Sequence, residues 1–154
     1  MKINIASNEI IHFIGIGGIG MSGLAQIMNN MGFTIQGSDL SKNKNTERLI
    51  KKGIKVYFGH NQKNLNKTTM VVISSAIKKN NKELLAAKQK KLPIFKRGEM
   101  LANIVALKKN IVVTGSHGKT TTTSLVANIL VESGLDPTVI NGGVINSLKN
   151  NAQL

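Results

Sequence analysis

Two glycine-rich segments of this chain bring together the residue types that phosphate chemistry needs. In Thr114-Gly115-Ser116-His117-Gly118-Lys119-Thr120-Thr121, glycines, a lysine and hydroxyls sit in one short stretch. The backbone amides of such a loop cradle phosphate oxygens, the lysine neutralises the β and γ oxygens of a nucleoside triphosphate, and the first threonine ligates Mg²⁺. Lys119 and Thr120 are the candidates for those two roles, which makes a nucleoside triphosphate and Mg²⁺ the expected ligands. The strict G-x-x-x-x-G-K-[ST] pattern fails, because Val113 stands where it asks for the first glycine, and the loop is the shorter G-x-x-G-K-T. A threonine-rich helix start with a solvated lysine is the plainer alternative. The apolar run Ile111 to Val113 before the loop and the helical pattern after it favour the phosphate loop.

The other segment is Gly15-Ile16-Gly17-Gly18-Ile19-Gly20, followed at Asp39 by an acidic residue. Glycines there permit a tight turn and close backbone approach, and the unpaired amides of a following helix favour a pyrophosphate. Asp39 can accept hydrogen bonds from ribose hydroxyls. Taken alone, the segment reads as a dinucleotide site for NAD, as in a dehydrogenase or regulatory domain; a tight strand-to-helix turn needing small residues is the alternative.

Three histidines complete the inventory of candidate chemistry. His12 alternates into a strand beside Phe13 and reads as a packed residue. His60 follows a glycine at a strand end, where open α/β sheets bind ligands, so a site role and a plain loop role both stand. His117 lies inside the phosphate loop, in reach of ligand or metal-bound water. Histidines so dispersed do not make a metal centre.

The elements that must hold these groups alternate between apolar runs and helical periods, the pattern of a parallel sheet covered by helices. Strands are expected at Ile10 to Ile14, Phe33 to Gln36, Lys55 to Phe58 and Met70 to Ile73, and a short apolar segment, Ile94 to Phe95, follows Pro93. Helices are expected at Gly18 to Met31, burying Ile19, Leu24, Ile27, Met28 and Met31, and at Thr46 to Lys52, Asn81 to Lys91 and Arg97 to Leu107. Asn81 to Lys91 carries Leu84, Leu85, Ala87 and Lys88 at helical spacing. The polar Lys108 to Asn110 marks a boundary, and the pattern then restarts with a strand at Ile111 to Thr114, a helix at Lys119 to Glu132 and a strand near Thr138 to Ile140. The fold class expected is α/β, with one parallel-sheet domain over residues 1–107 and the beginning of a second, P-loop domain over residues 108–154.

At 154 residues, 41% of them hydrophobic and 18% charged, the chain suits a globular protein. Its formal charge of +14 could attract nucleic acid, an anionic membrane or phosphorylated ligands. The lysines run with asparagine and isoleucine, as in Lys42 to Asn45 and Lys78 to Lys82, which fits solvated faces better than a dedicated nucleic-acid surface. Cysteine is absent and aromatics are 3%, so there is neither a disulfide framework nor a stacking platform for bases. No apolar run reaches membrane-spanning length and no signal-peptide pattern opens the chain. The expectation is a cytoplasmic protein with small-molecule partners, and neither nucleic acid nor membrane among them.

His12-Phe-Ile-Gly15-Ile-Gly-Gly-Ile-Gly20-Met21-Ser22 and Thr114-Gly-Ser-His-Gly-Lys-Thr120 together resemble the Mur ligase family. Gly37-Ser38-Asp39, Gly59-His60, Ser74-Ser75-Ala76-Ile77, Arg97-Gly98-Glu99-Met100-Leu101 and Asn141-Gly142-Gly143 fit the same family in order and context. The resemblance implies a first domain of Rossmann-like form that binds the UDP part of UDP-N-acetylmuramate instead of NAD. Gly15, Gly17, Gly18, Gly20, Met21 and Ser22 would then lie near the diphosphate, Ser38, Asp39 and His60 would help hold the nucleotide, and Ser74, Ser75, Asn141 and Gly142 are further substrate candidates. It implies as well that a central domain binds ATP and Mg²⁺, and that L-alanine is joined to the muramyl carboxylate through an acyl phosphate, in peptidoglycan synthesis. Another ligase of the family, joining a different amino acid or a peptide, is the nearest rival.

Two departures accompany the resemblance: Ser116 stands where many relatives have threonine, and Gly98 where alanine is commoner. With Leu154 falling early in the central domain, the rest of the ATP site and the amino-acid domain are expected to lie outside this stretch, which alone should not catalyse. The helix Lys119 to Glu132 is expected to expose an apolar face.

Overall fold

Short β-branched runs such as Ile10–Ile14 and Met70–Ile73 gain most when both faces are covered, which a parallel sheet between helices achieves. The computed structural model, which describes residues 9–141 and 144–147, realises that arrangement in the first of two compact units, Met1–Lys108 and Lys109–Leu154.

In chain order the first unit holds β1 (Ile10–Ile14), α1 (Ile19–Asn30), β2 (Thr34–Asp39), α2 (Lys44–Lys51) and β3 (Lys55–Phe58). A 3₁₀ turn (Gln62–Leu65), β4 (Met70–Ile73), α3 (Lys82–Gln89), β5 (Ile94–Lys96) and α4 (Arg97–Val105) follow. The strands form one parallel sheet in the order β3-β2-β1-β4-β5, as expected for a Rossmann-like domain. The chain reverses its direction of winding between β1 and β4, and ligands of open α/β sheets bind outside the carboxyl ends of the strands at such a point.

Register sorts the residues by face. His12 pairs with Gln36 and Val71, and Ile14 with Ser38 and Ile73, so these share one face, where Leu65, Leu84, Ala86 and Ala87 complete an apolar cluster with Ile14 and Val71. Ile11, Phe13, Ile35 and Val72 alternate to the other face, and α1 runs beside α2 and α4.

Several expectations are corrected. β2 runs on to Asp39 instead of ending at Gln36, because Gly37 and Ser38 continue the ladder against Phe13 and Ile14. Gly37 is tolerated there by need of space: a Cβ on it would come within 2.6 Å of Ile16 Cδ1 and of the Phe13 carbonyl. Ile19, expected on the buried side of α1, is exposed, and on α3 Leu85 is exposed too. On α3 it is Glu83 that goes inside along with Leu84 and Ala87, for a reason that belongs to the site. The 3₁₀ turn was not anticipated.

In the second unit α5 (Lys119–Glu132) packs on β6 (Thr138–Asn141), which pairs antiparallel with β7 (Val144–Ser147). The strand expected at Ile111 to Thr114 does not form; those residues ladder with no other strand, and Ile111 and Val112 stand exposed. An apolar run becomes a strand only when a neighbour accepts its hydrogen bonds. α5 leaves Leu125 and Ile129 in solvent, as its sequence pattern indicated. β7 was also unanticipated, although Asn141-Gly142 between two apolar runs is a hairpin signal.

Candidate functional site

The glycine loop is fastened to the sheet by its own backbone. The Ser38 carbonyl accepts the amides of Gly15 at 2.8 Å and Ile16 at 2.9 Å. Gly17 donates its amide to Asp39 Oδ2 at 2.8 Å and accepts Asn45 Nδ2 on its carbonyl at 2.9 Å. A Cβ on Gly17 would lie 2.7 Å from Asn43 Nδ2 and 2.8 Å from Asp39 Oδ2, so side chains crowd that position from both sides. Gly15 takes φ +81°, the left-handed turn that glycine adopts at no steric cost. Asn43, the N-cap of α2, and Asn45 were missed by sequence reasoning, which treated Lys42 to Asn45 as a solvated run.

Gly18 caps α1 without a side-chain hydrogen bond, so the first-turn amides of Ile19, Gly20 and Met21 have no intrahelical partner. They carry the positive end of the helix dipole, which suits an anionic ligand. The Arg97 guanidinium lies against this turn, its Nη1 3.0 Å from where a Cβ of Gly20 would be. Met21 and Ser22 turn inward: both are buried, and Ser22 Oγ donates to the Ile19 carbonyl. Only their backbone faces the loop's chemistry.

Ser74 sits beside the loop, its Cβ 3.2 Å from the position a Cβ of Gly15 would take, and its Oγ accepts the Ala76 amide. Ser75 is exposed. Gly15, Gly17, Gly18, Gly20, Ser38, Asp39, Ser74 and Ser75 are thus gathered at the carboxyl ends of β1, β2 and β4.

His60 joins them through a buried polar network. Its Nδ1 is 2.9 Å from Glu83 Oε2 and 3.0 Å from Ser38 Oγ, and Ser38 Oγ donates to the same Glu83 oxygen at 2.5 Å. Asn64 Nδ2 donates to Glu83 Oε1 at 2.6 Å. His12 is fully buried, with Nε2 3.5 Å from Glu83 Oε1 and no hydrogen-bond partner at that atom. Gln36 Nε2 donates to the Asn64 carbonyl at 3.0 Å and Thr68 Oγ1 at 3.1 Å, with His12 Nδ1 at 3.3 Å. Burial opposes ionisation of Glu83, but the His12 imidazole beside it and the hydrogen bonds from Ser38 and Asn64 outweigh it, and the carboxyl is held below its usual range. His12 is therefore a packed residue, as its alternation indicated.

In the second unit the glycine-rich loop before α5 closes on itself. Lys119 Nζ donates to the carbonyls of Gly115 at 2.6 Å and Ser116 at 3.0 Å. Gly118 caps α5 at φ +74° with no side-chain hydrogen bond, leaving the amides of Lys119, Thr120 and Thr121 without helical partners. Residues 115 to 121 are exposed. Uncapped amides, a lysine lying across the loop and the Thr120 hydroxyl are a donor set that fits a triphosphate and a hard cation. Asn141 ends β6, while Gly142 lies outside the described residues.

Residues 10–109 match the Mur ligase family catalytic domain, and residues 113–153 match the Mur ligase middle domain. The whole chain is 68% identical to a UDP-N-acetylmuramate–L-alanine ligase of Pelagibacter ubique, covering 33% of that protein. The chain thus spans about a third of the length of such curated relatives. The crystal structure of a UDP-N-acetylmuramate-alanine ligase from Thermotoga maritima is similar with a TM-score of 0.76 and 35% identity, over 86% of this chain and 31% of that one. A UDP-N-acetylmuramate:L-alanyl-γ-D-glutamyl-meso-diaminopimelate ligase from Neisseria meningitides gives 0.77 and 35%, over 88% and 43%.

Proposed function

The chain belongs to the Mur ligase family, and on that premise we propose that it carries the UDP-sugar-binding domain and the ATP phosphate loop of a UDP-N-acetylmuramate:L-alanine ligase. In that reaction the muramyl carboxylate takes the γ-phosphoryl group of ATP, ADP leaves, and the amine of L-alanine then displaces phosphate to form the amide. Protein groups contribute mostly by positioning the reactants and balancing charge.

The observation that carries the reading is the second loop. A dehydrogenase or regulatory domain would explain the glycine loop and Asp39 but has no use for an uncapped helix start with Lys119 drawn across Gly115 and Ser116. Lys119 leaves those carbonyls to neutralise the transferred phosphoryl, the amides around Gly118 hold the phosphates, and Ser116, His117 and Thr121 border them. Bound Mg²⁺ would supply further charge neutralisation, with Thr120 as its protein ligand.

At the other loop the amides of α1 and the Arg97 guanidinium suit the UDP diphosphate, while Asp39, already spent on Gly17, stands at the edge where a ribose would lie. Substrates made from cytoplasmic nucleotides support a cytoplasmic location. Among the described residues, no helix is long and apolar enough to cross a membrane.

The test is a calorimetric titration with UDP-N-acetylmuramate, with UDP-N-acetylglucosamine and NAD in the same buffer. Saturable binding of the muramyl nucleotide with NAD silent is expected. Binding of NAD alone would return the site to the dehydrogenase reading. The comparable likeness to the Neisseria ligase keeps a peptide-joining activity as the second reading, which a ligation assay on the whole enzyme with L-alanine against the tripeptide would separate.

A further inference from the structure

We infer that Glu83 is a positioning residue of the nucleotide-sugar site, fixing the His60 imidazole so that Nε2 is its ligand-facing nitrogen; the inference rests on the UDP-sugar reading. Glu83 belongs to α3, not to any loop at the strand ends, and its side chain is fully buried. Its two oxygens are met by donors on every side: Ser38 Oγ and His60 Nδ1 at Oε2, Asn64 Nδ2 at Oε1, and the edge of His12 nearby.

A carboxylate only accepts, so the His60 nitrogen that faces it is the protonated one. Nδ1–H then points at Glu83, and Nε2 has no hydrogen-bond partner among the described residues. The ring is not sealed in: its side chain keeps 12% of its surface accessible. A second oriented group follows from the same contact, because Ser38 turns its hydroxyl to Glu83 while its carbonyl holds the amides of Gly15 and Ile16. One buried carboxylate thereby orients an imidazole and steadies the strand end that anchors the glycine loop. The titratable groups facing it are His12 from β1 and His60 after β3; the other polar groups in the network, Gln36, Ser38, Asn64 and Thr68, are neutral.

Glutamine is isosteric with Glu83 but carries a donor on one arm, so it cannot accept at both Ser38–His60 and Asn64. The imidazole can relieve the mismatch by moving its proton to Nε2, which turns Nδ1 into an acceptor. The experiment is ¹⁵N spectroscopy of the His60 ring in the full chain, with and without saturating UDP-N-acetylmuramate, combined with calorimetry on Glu83→Gln, His60→Ala and the double variant. The expected result is an Nδ1–H ring whose Nε2 resonance alone moves on binding. Affinity should fall about tenfold in Glu83→Gln, equivalent to about 1.4 kcal/mol, with a gain of Nε2–H tautomer, and His60→Ala should cost little more on that background.

If the nucleotide binds and neither ring nitrogen of His60 responds, the positioning role is wrong, and the wild-type spectrum decides this even if Glu83→Gln fails to fold. Additive losses in the double variant would equally overturn it. A chain that binds NAD and no UDP-sugar rejects the UDP-sugar reading itself, and the positioning role with it.

Discussion

The carboxylate of Asp39 accepts the amide of Gly17 at 2.8 Å, which fastens the middle of the glycine loop to the end of β2. A hydrogen bond to a charged acceptor is worth about 1.5–3 kcal/mol. Asp39→Ala should therefore lower stability by up to about that amount, while Asp39→Asn, which keeps an acceptor oxygen, should lose less. Urea unfolding of the two variants checks the order; equal losses would mean that the carboxylate does not secure the loop.

Gly17→Ala puts a Cβ within 2.8 Å of both Asn43 Nδ2 and Asp39 Oδ2. Overpacking of this kind costs about 1–3 kcal/mol, and the displaced loop should bind UDP-N-acetylmuramate at least about tenfold more weakly. Gly18→Ala, where a Cβ would meet nothing closer than 3.6 Å, is the control expected to be milder in thermal melts and in titration.

Lys119 is exposed, and among the described residues its ammonium donates to the loop carbonyls of Gly115 and Ser116. Lys119→Ala should leave the unfolding midpoint near that of the parent while ATP binding in the presence of Mg²⁺ falls by at least about tenfold. Competition with a fluorescent ATP analogue would show it. Unchanged affinity would assign the lysine to the loop's structure alone.

Glu83 makes a signed prediction for pH. Its folded carboxyl is held below the ordinary glutamate value of about 4.3. The stability this contributes is fully present above that ordinary value and is lost as pH falls through the folded one. At pH 7 Glu83→Gln should cost about 1–3 kcal/mol, the usual penalty for an unsatisfied buried group. The difference between variant and parent should shrink below about pH 4.3. Denaturant melts from pH 7 to pH 3 that run parallel throughout would contradict the assignment of a buried charge.

Much of the molecule was legible along the chain. Strands β1, β3 and β4 and helix α5 were bounded correctly because apolar runs, helical periods and glycine stops are local signals. The first glycine loop stands between β1 and α1 and the second runs into α5, as expected, and the residues gathered at the strand ends could be named before any contact was known. A strand at Ile111 to Thr114 was not so determined, since extended residues need a ladder partner and the chain supplies none to them among the described residues.

The network around Glu83 lay equally beyond the sequence. His12, Gln36, Ser38, His60, Asn64 and Glu83 come from separate strands, a turn and a helix. Read alone, Gln36, Asn64 and Glu83 are polar residues that would be solvated, and nothing local joins them to His12, Ser38 or His60. The sequence by itself determined the α/β alternation, the two glycine-rich loops and the family, because these depend on residues adjacent in the chain. The tertiary structure alone decided which polar side chains are buried, since burying a carboxylate is tolerable only where donors from distant segments converge on it.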